Sequence, residues 1–270
     1  MTDDPTPTIL DRFLLTDRVA VVTGAGRGIG RGIAVGFADA GADLVLAART
    51  ESDLEATARL VRQRGRRALV VPTDVMVTAD LEHLVEAAVA AYGRLDVLVN
   101  NAGGSHPRAA LDTTEEYFET ALRFNVTQAF LLTRLAVPRM VETADGGTVV
   151  NISSRSSDMV QPSFVAYAAG KAALNMVTRD LAPELAPKVR INAISVGGVA
   201  TDSLDVVLTD ETLREQFVAG TPLRRPGEVE DIAACALYLA SPASSWVTGK
   251  VFQVDGGAET PAFTLPAPPL

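Results

Sequence analysis

The chain has 270 residues, with 24 Lys+Arg against 33 Asp+Glu and a formal net charge of -9. It holds no apolar run of the ~18 residues that a membrane span needs, and an acidic balance without a basic cluster argues against a duplex nucleic-acid binder. One cysteine, Cys235, and two histidines, His83 and His106, leave no disulfide framework and no Cys/His metal centre, so no metal is expected.

In chain order, residues 1–16 read as a polar, proline-containing extension without the basic and apolar regions of a secretory signal, so a cytoplasmic protein is expected. A predicted strand, Val19–Thr23, leads into Gly24-Ala-Gly-Arg-Gly28-Ile-Gly30 and a helix with Ile33, Phe37 and Ala40 on one face. Glycine permits a tight turn, and N–H groups at a helix N-terminus receive phosphate. A strand, a glycine turn and a helix, each the first of its kind, point to a nucleotide site.

The next strand, Asp43–Ala47, runs into Ala48-Arg49-Thr50. A helix over Ser52–Arg64 opens on the capping-box spacing Ser52…Glu55. Strand Ala68–Pro72 precedes Asp74 and Val75. Helix Ala79–Tyr92 turns Leu81, Leu84, Val85 and Ala88 inward. Strand Val97–Asn100 ends in Asn100-Asn-Ala-Gly103. Thr113…Glu116 is a second capping-box spacing, ahead of a helical segment to about Met140 that contains Phe124-Asn-Val-Thr.

Strand Thr148–Ile152 is followed by Ser153 and Ser154. Helix Tyr167–Leu185 is apolar on more than one face, which predicts a second partner besides the sheet, namely another subunit. Strand Arg190–Ile194 precedes an apolar stretch from Ala200 to Arg225 with Leu204, Val206, Val207, Leu208, Leu213 and Phe217. Helix Glu230–Ala240 carries Cys235 as a small buried hydrophobe. Strand Val251–Val254 is last, and residues 258–270 form a Pro-rich tail.

The strands are rich in Val, Ile and Leu and do not alternate with polar residues, the pattern of strands buried on both faces. Alternation with helices predicts an α/β chain. The expected fold is a single-domain Rossmann fold over residues 17–257, with a doubly wound, seven-stranded, mainly parallel sheet and helices on both faces.

Lysine occurs only at 171, 188 and 250; every other base is arginine. Tyr167-Ala-Ala-Gly-Lys171 puts a phenol and an ammonium on one helical face. An unperturbed tyrosine titrates near 10, and a nearby cation can lower such a value by ~1–3 units, which predicts an acid–base pair.

Thr23-Gly-xxx-Gly-x-Gly, Asn100-Asn-Ala-Gly103, Asn125, Ser154 thirteen residues before Tyr167, and Tyr167-xxx-Lys171 together resemble the short-chain dehydrogenase/reductase family, over about Arg18 to Gly257. The resemblance implies a nicotinamide-cofactor oxidoreductase, a tetramer, and Asn125, Ser154, Tyr167 and Lys171 as catalytic residues. Tyr167 would exchange a proton with the substrate oxygen. Ser154 would hydrogen-bond that oxygen, and the spacing prefers it to Ser153. Lys171 would also hold the ribose, and Asn125 would anchor a relay water. Gly24, Arg27, Gly28, Ile29, Gly30, Arg49, Asp74, Val75, Asn101, Ala102, Gly103, Val199 and Thr201, with Tyr167 and Lys171 themselves, would line the cofactor.

An acidic residue at the end of the second strand selects NAD. Here that position is Ala48, followed by Arg49, and Arg27 lies in the glycine loop, so NADP(H) is expected and NAD(H) is the alternative. Two positions depart from the family pattern. Gly170 stands where a serine is usual, removing a helix-surface hydroxyl, and Val196-Gly197 replaces Pro-Gly. Asn100-Asn-Ala-Gly-Gly-Ser-His-Pro-Arg108, Thr221-Pro-Leu-Arg-Arg-Pro-Gly and Ser241-Pro-Ala-Ser-Ser-Trp-Val-Thr-Gly249 resemble the 7α-hydroxysteroid dehydrogenase branch. His106 reads as an exposed loop residue. The implied substrate is a small hydrophobic, steroid-like alcohol or ketone. The alternatives are a 3-oxoacyl-[acyl-carrier-protein] reductase, with Arg224 and Arg225 as a carrier-binding patch, and a non-catalytic NADP(H)-binding redox sensor.

Overall fold

A strand buried on both faces sends alternate side chains into two separate cores. In the computed structural model, which describes residues 8–202, 204 and 209–261, β1 (Val19–Thr23) does this: Val19 and Val21 enter one core, Ala20 and Val22 the other. The same holds across β2 (Asp43–Ala48), β3 (Ala68–Pro72), β4 (Val97–Asn100), β5 (Gly147–Ser154) and β6 (Val189–Val196), whereas the edge strand β7 (Val251–Val254) turns Phe252 and Val254 into the core of Ala20 and Val22 and leaves Gln253 exposed. They form one sheet in the order β3-β2-β1-β4-β5-β6-β7, every pairing parallel.

Helices α1 (Gly28–Asp39), α2 (Glu51–Gln63) and α8 (Val229–Ala240) cover one face. On the other lie α3 (Thr78–Tyr92), α5 (Gln128–Ala144) and α6 (Val165–Leu185). Helix α4 (Glu115–Leu122) packs on α6, and α7 (Glu211–Gly220) follows β6. Ile33 and Phe37, one turn apart on α1, are fully buried, each contributing ~1.5–3 kcal/mol. The strand order reverses between β1 and β4. Ligands bind at such a switch point, beyond the carboxyl ends of the strands, and β1 and β4 end there in the glycine turn and in Asn100–Gly103.

Local signals misplace several helix starts. Helix α2 begins at Glu51 with Thr50 as its N-cap and no side-chain cap, so Ser52…Glu55 does not act as a capping box. Thr114, not Thr113, caps α4, accepting from the Tyr117 N–H at 3.2 Å. The capping box that forms is Glu228–Asp231, ahead of α8. The predicted segment to Met140 is two helices, α4 and α5, joined by a π-helical turn over Arg123–Thr127.

The two rims of the sheet differ in chemistry. At the amino ends, Asp43 pairs with Arg66 and Arg67 at 3.0 and 2.6 Å. Asp96 takes Arg18 and Arg94 at 2.8 and 2.7 Å. The forked guanidinium suits such paired contacts, a use for this chain's arginine excess. The carboxyl rim carries the residues below.

Candidate active site

The turn after β1 is shaped for close approach. Gly24 and Gly28 have φ of 65° and 52°, values a side chain disfavours. A Cβ on Gly24 would stand 2.6 Å from the Asn101 amide nitrogen, and one on Gly30 would overlap the Gly24 carbonyl oxygen. The N-terminus of α1 is therefore bare of side chains at Gly28 and Gly30, while Ile29 packs on the core. Such a cradle fits a dinucleotide diphosphate held by backbone N–H groups.

Thr23, the one polar residue of β1, sets this turn against β4. Its hydroxyl accepts from the N–H groups of Asn101 and Ala102, both at 3.0 Å. The Asn101 side-chain amide donates to the Thr23 and Gly24 carbonyls at 2.8 and 3.3 Å, so this side chain braces the glycine loop. Gln128 holds the Ala102 carbonyl at 2.9 Å. Sequence reading gives Thr23 and Gln128 no such part; the available signal is a polar residue inside an apolar strand or helix face.

Asn125 lies in the π-helical turn and is fully buried. π-turns inside helices occur mostly at functional sites. Here the turn presents the Asn125 amide to Gly104: its oxygen accepts from the Gly104 N–H at 2.9 Å, and its nitrogen donates to the Gly104 and Ala121 carbonyls at 3.0 and 2.9 Å. The Asn125 oxygen and the Lys171 Nζ each lie 3.0 Å from the point where a Gly103 Cβ would sit, so both side chains close on Gly103 and a larger residue there would crowd them.

Lys171 is 3% exposed and donates to the Ile152 carbonyl at 2.8 Å. It has no carboxylate partner among the described residues. Burial brings its ammonium down to about 8. Its Nζ stands 5.8 Å from the centroid of the Tyr167 ring. Tyr167 itself is pushed up by burial, and a hydrogen bond with Ser154 works the other way. In the protein alone, therefore, burial outweighs the Ser154 bond, and the lowering expected from a neighbouring cation is not seen.

Strand alternation separates the two serines. Ser154, at the end of β5, meets Tyr167 and accepts from the Ser156 N–H at 3.2 Å. Ser153 is buried and points its hydroxyl at the Lys171 carbonyl, 3.4 Å away. Gly170 is not on the helix surface, contrary to the sequence expectation. It is buried, and a Cβ there would come within 3.1 Å of the Asn125 Cβ, so the glycine lets α6 press on the π-turn.

The remaining expected cofactor residues scatter around this rim. Val199 is buried and bridges to Gly227; Thr201 faces Gly28. Asp74 accepts from the Met76 N–H at 3.0 Å, and Val75 is buried beside it. Arg49 is exposed with no ion-pair partner among the described residues. Arg27 is not free: it pairs with Asp202 at 2.8 Å, both side chains largely exposed. Asp53 of α2 lies next to Gly26, whose Cβ would stand 2.9 Å from that of Asp53.

In the apolar stretch after β6, Leu204 and Phe217 are buried, while Val206, Val207 and Leu208 lie outside the described residues. His106 is exposed; its carbonyl accepts from the Tyr117 hydroxyl at 2.8 Å. Cys235 is half-buried, and burial pushes its thiol up to about 11.

The family profile described as enoyl-(acyl carrier protein) reductase matches residues 24–259. An uncharacterized oxidoreductase of Mycobacterium tuberculosis (strain CDC 1551 / Oshkosh) is 48% identical over 262 residues, 97% of this chain and 100% of that protein. The 7alpha-hydroxysteroid dehydrogenase of Escherichia coli (strain K12) is 36% identical over 248 residues, 92% of this chain and 96% of that protein. A solved 7 alpha-hydroxysteroid dehydrogenase, complexed with NADH and 7-oxo glycochenodeoxycholic acid, superposes with a TM-score of 0.89 at 35% identity, covering 92% of this chain and 97% of that one.

The protein is thus an oxidoreductase acting on CH–OH groups with a nicotinamide cofactor. Within that class, the chain belongs to the short-chain dehydrogenase/reductase family.

Proposed function

We propose that this protein is an NADP(H)-dependent dehydrogenase/reductase that interconverts a secondary alcohol and a ketone on a small hydrophobic, steroid-like molecule. The observation that carries the reaction is the convergence of Ser154, Tyr167, Lys171 and Asn125 beside the glycine cradle. When bound, the cofactor supplies or accepts the hydride.

Tyr167 gives its proton to the carbonyl oxygen in reduction and takes the alcohol proton in oxidation. A positioned group of this kind contributes ~10²–10⁴-fold. Ser154 holds the substrate oxygen and steadies its developing charge. Lys171 remains an ammonium at neutral pH, since its value of about 8 lies above it, and it favours the tyrosinate beside it. Asn125 would anchor a relay water that links Lys171 to solvent; both side chains converge on Gly103.

The cofactor residues are those of the cradle, Gly24, Gly28 and Gly30, with Asp74, Val75, Asn101, Ala102 and Gly103 toward the adenosine and Val199 and Thr201 toward the nicotinamide. NADP(H) is supported by neutral Ala48 and by Arg49, a forked cation free for a 2′-phosphate. Arg27 joins it by giving up Asp202, an exposed pair worth ~0–1 kcal/mol. NAD(H) is the second reading, favoured by an acidic residue near the loop, Asp53, whose Cβ lies against Gly26.

The hydrophobic substrate is supported by buried Leu204 and Phe217 in the segment over the site, and by the named relatives. The carrier-protein alternative is weakened by its own patch, since Arg225 is paired with Asp231 at 2.7 Å and Arg224 donates to the Ala219 carbonyl. A cytoplasmic homotetramer is the assembly we expect. The outer faces of α5 and α6 expose Phe130, Val141, Val165 and Met176, which a partner would cover.

The test is a ketone and hydroxysteroid panel with both cofactors, followed through the absorbance of the reduced nicotinamide. Preference for NADP(H), shifted toward NAD(H) by Arg49→Asp, is the expected result. Equal catalytic efficiency with both cofactors removes the cofactor assignment. Tight NADPH binding without turnover of any ketone replaces the enzyme with the redox sensor. A monomer in sedimentation removes the tetramer.

A further inference from the structure

Arg155 follows Ser154 directly and is 6% exposed. A buried guanidinium needs partners for all of its fork. One nitrogen, Nη1, donates to Asp158 at 2.6 Å, and Nη2 donates to the Ala258 carbonyl at 3.1 Å. Nε lies 2.7 Å from the Asp255 carboxylate as an ion pair, without the alignment of a hydrogen bond. Glu259 adds a third carboxylate, 3.9 Å from Nη2. Gln253 of β7 also donates to Asp158, at 3.0 Å.

These contacts join segments far apart in the chain. Asp158 closes the short turn that begins at Ser154. Asp255 leaves β7 and packs against the end of β6, where a Cβ on Gly197 would stand 2.6 Å from the Asp255 Cα. Gly197 opens the run to Val199 and Thr201. One guanidinium thus ties the serine turn to the residue that seats this run. Without it, Asp158, Asp255 and Glu259 would repel one another across the same space.

We propose that Arg155 is the positioning residue that sets Ser154, on the substrate side, at a fixed distance from the Val199–Thr201 run, on the nicotinamide side. The inference rests on the roles given to Ser154, Val199 and Thr201 above. Arg155 touches none of the reacting atoms; it acts through Ser154 and Asp255. Loss of the brace lets the two sides drift, and a misplacement of ~1 Å costs hydride transfer ~10²-fold.

The test uses full-length Arg155→Met, Arg155→Lys and Asp255→Asn with two readouts: the emission of the nicotinamide of bound NADPH, and kcat against KM for a ketone that the wild type reduces. In Arg155→Met, NADPH affinity should stay within ~3-fold while emission per bound cofactor drops and kcat falls ~10²-fold at nearly constant KM. Arg155→Lys keeps the charge without the fork and should lose ~10-fold. Asp255→Asn keeps the shape and should change both readouts in the same direction, which secures the test if Arg155→Met does not fold.

Unchanged emission and kcat in folded variants overturn the proposal. So does a loss of kcat that only follows the unfolded fraction, with emission per bound cofactor as in the wild type. If the wild type reduces no ketone, the functional reading falls, and the emission arm alone decides whether Arg155 places the nicotinamide side.

Discussion

The two ends of the sheet treat buried charge in opposite ways. At the amino end, Asp96 is 3% exposed and takes bonds from Arg18, Arg94 and the Val19 N–H. Burial raises its carboxyl, but these donors overcome it and hold the group below the ordinary carboxylate range. At the carboxyl end, Lys171 is equally buried and has one carbonyl for a partner. Burial there wins, and the ammonium is weakened. A structural charge is paired until its protonation state is secure. A charge meant to act on a neighbour is left under-paired, at a cost in stability.

Four measurements test that contrast. The largest effect is expected at the carboxyl end: Tyr167→Phe should lower kcat by ~10²–10⁴-fold, with the melting temperature and NADPH affinity unchanged. A variant that keeps a tenth of its activity removes the proton-transfer role. At the amino end, Asp96→Asn should destabilise by about 2 kcal/mol in denaturant titration, because the charge-assisted bonds are lost while the two arginines, 43% and 35% exposed, are rehydrated, and kcat of the folded enzyme holds. The lowered folded value also means that the wild type keeps this stabilisation above the ordinary carboxylate range and loses it as pH falls through the folded value; the variant should lack that acid limb.

Lys171 should show the reverse sign. Its folded value of about 8 lies below the ordinary 10.5, so burial costs the protein stability in full below pH 8, and the cost fades as pH rises to 10.5. The stability of cofactor-free Lys171→Met relative to wild type should therefore fall across that window, by at most about 3 kcal/mol. A flat difference would show that the lysine is not strained by burial. The smallest effect belongs to the exposed pair at the mouth: Asp202→Asn should change stability by less than ~0.5 kcal/mol. A loss well above that would make Arg27–Asp202 a structural clasp.

Much of the site was legible from sequence because its geometry is local. Tyr167 and Lys171 share a face through helical spacing, and Gly24–Gly30 form one turn. Ser154 is separated from Ser153 by the period of a strand, which the structure shows directly in their opposite contacts. Other parts depend on partners that no local pattern names. Ser52…Glu55 has the spacing of a cap, yet the chain enters α2 two residues earlier, at Thr50. Asn101 stands in a motif that points to the cofactor, but its side chain bonds the Thr23 and Gly24 carbonyls. Gly170 reads as a missing surface hydroxyl and is a buried point of helix contact.

The sheet, the switch point, the glycine cradle and the spacing of the proposed acid–base residues can be read from the chain, since period and short-range sterics act within a few residues. The charge state of each group and the contacts that brace it come from packing. Burial of Tyr167 and Lys171, the capture of Arg27 by Asp202 and the ring of carboxylates around Arg155 are set by residues up to a hundred positions away or more. Desolvation and long-range pairing are properties of the packed chain, and they fix what the motif residues can do.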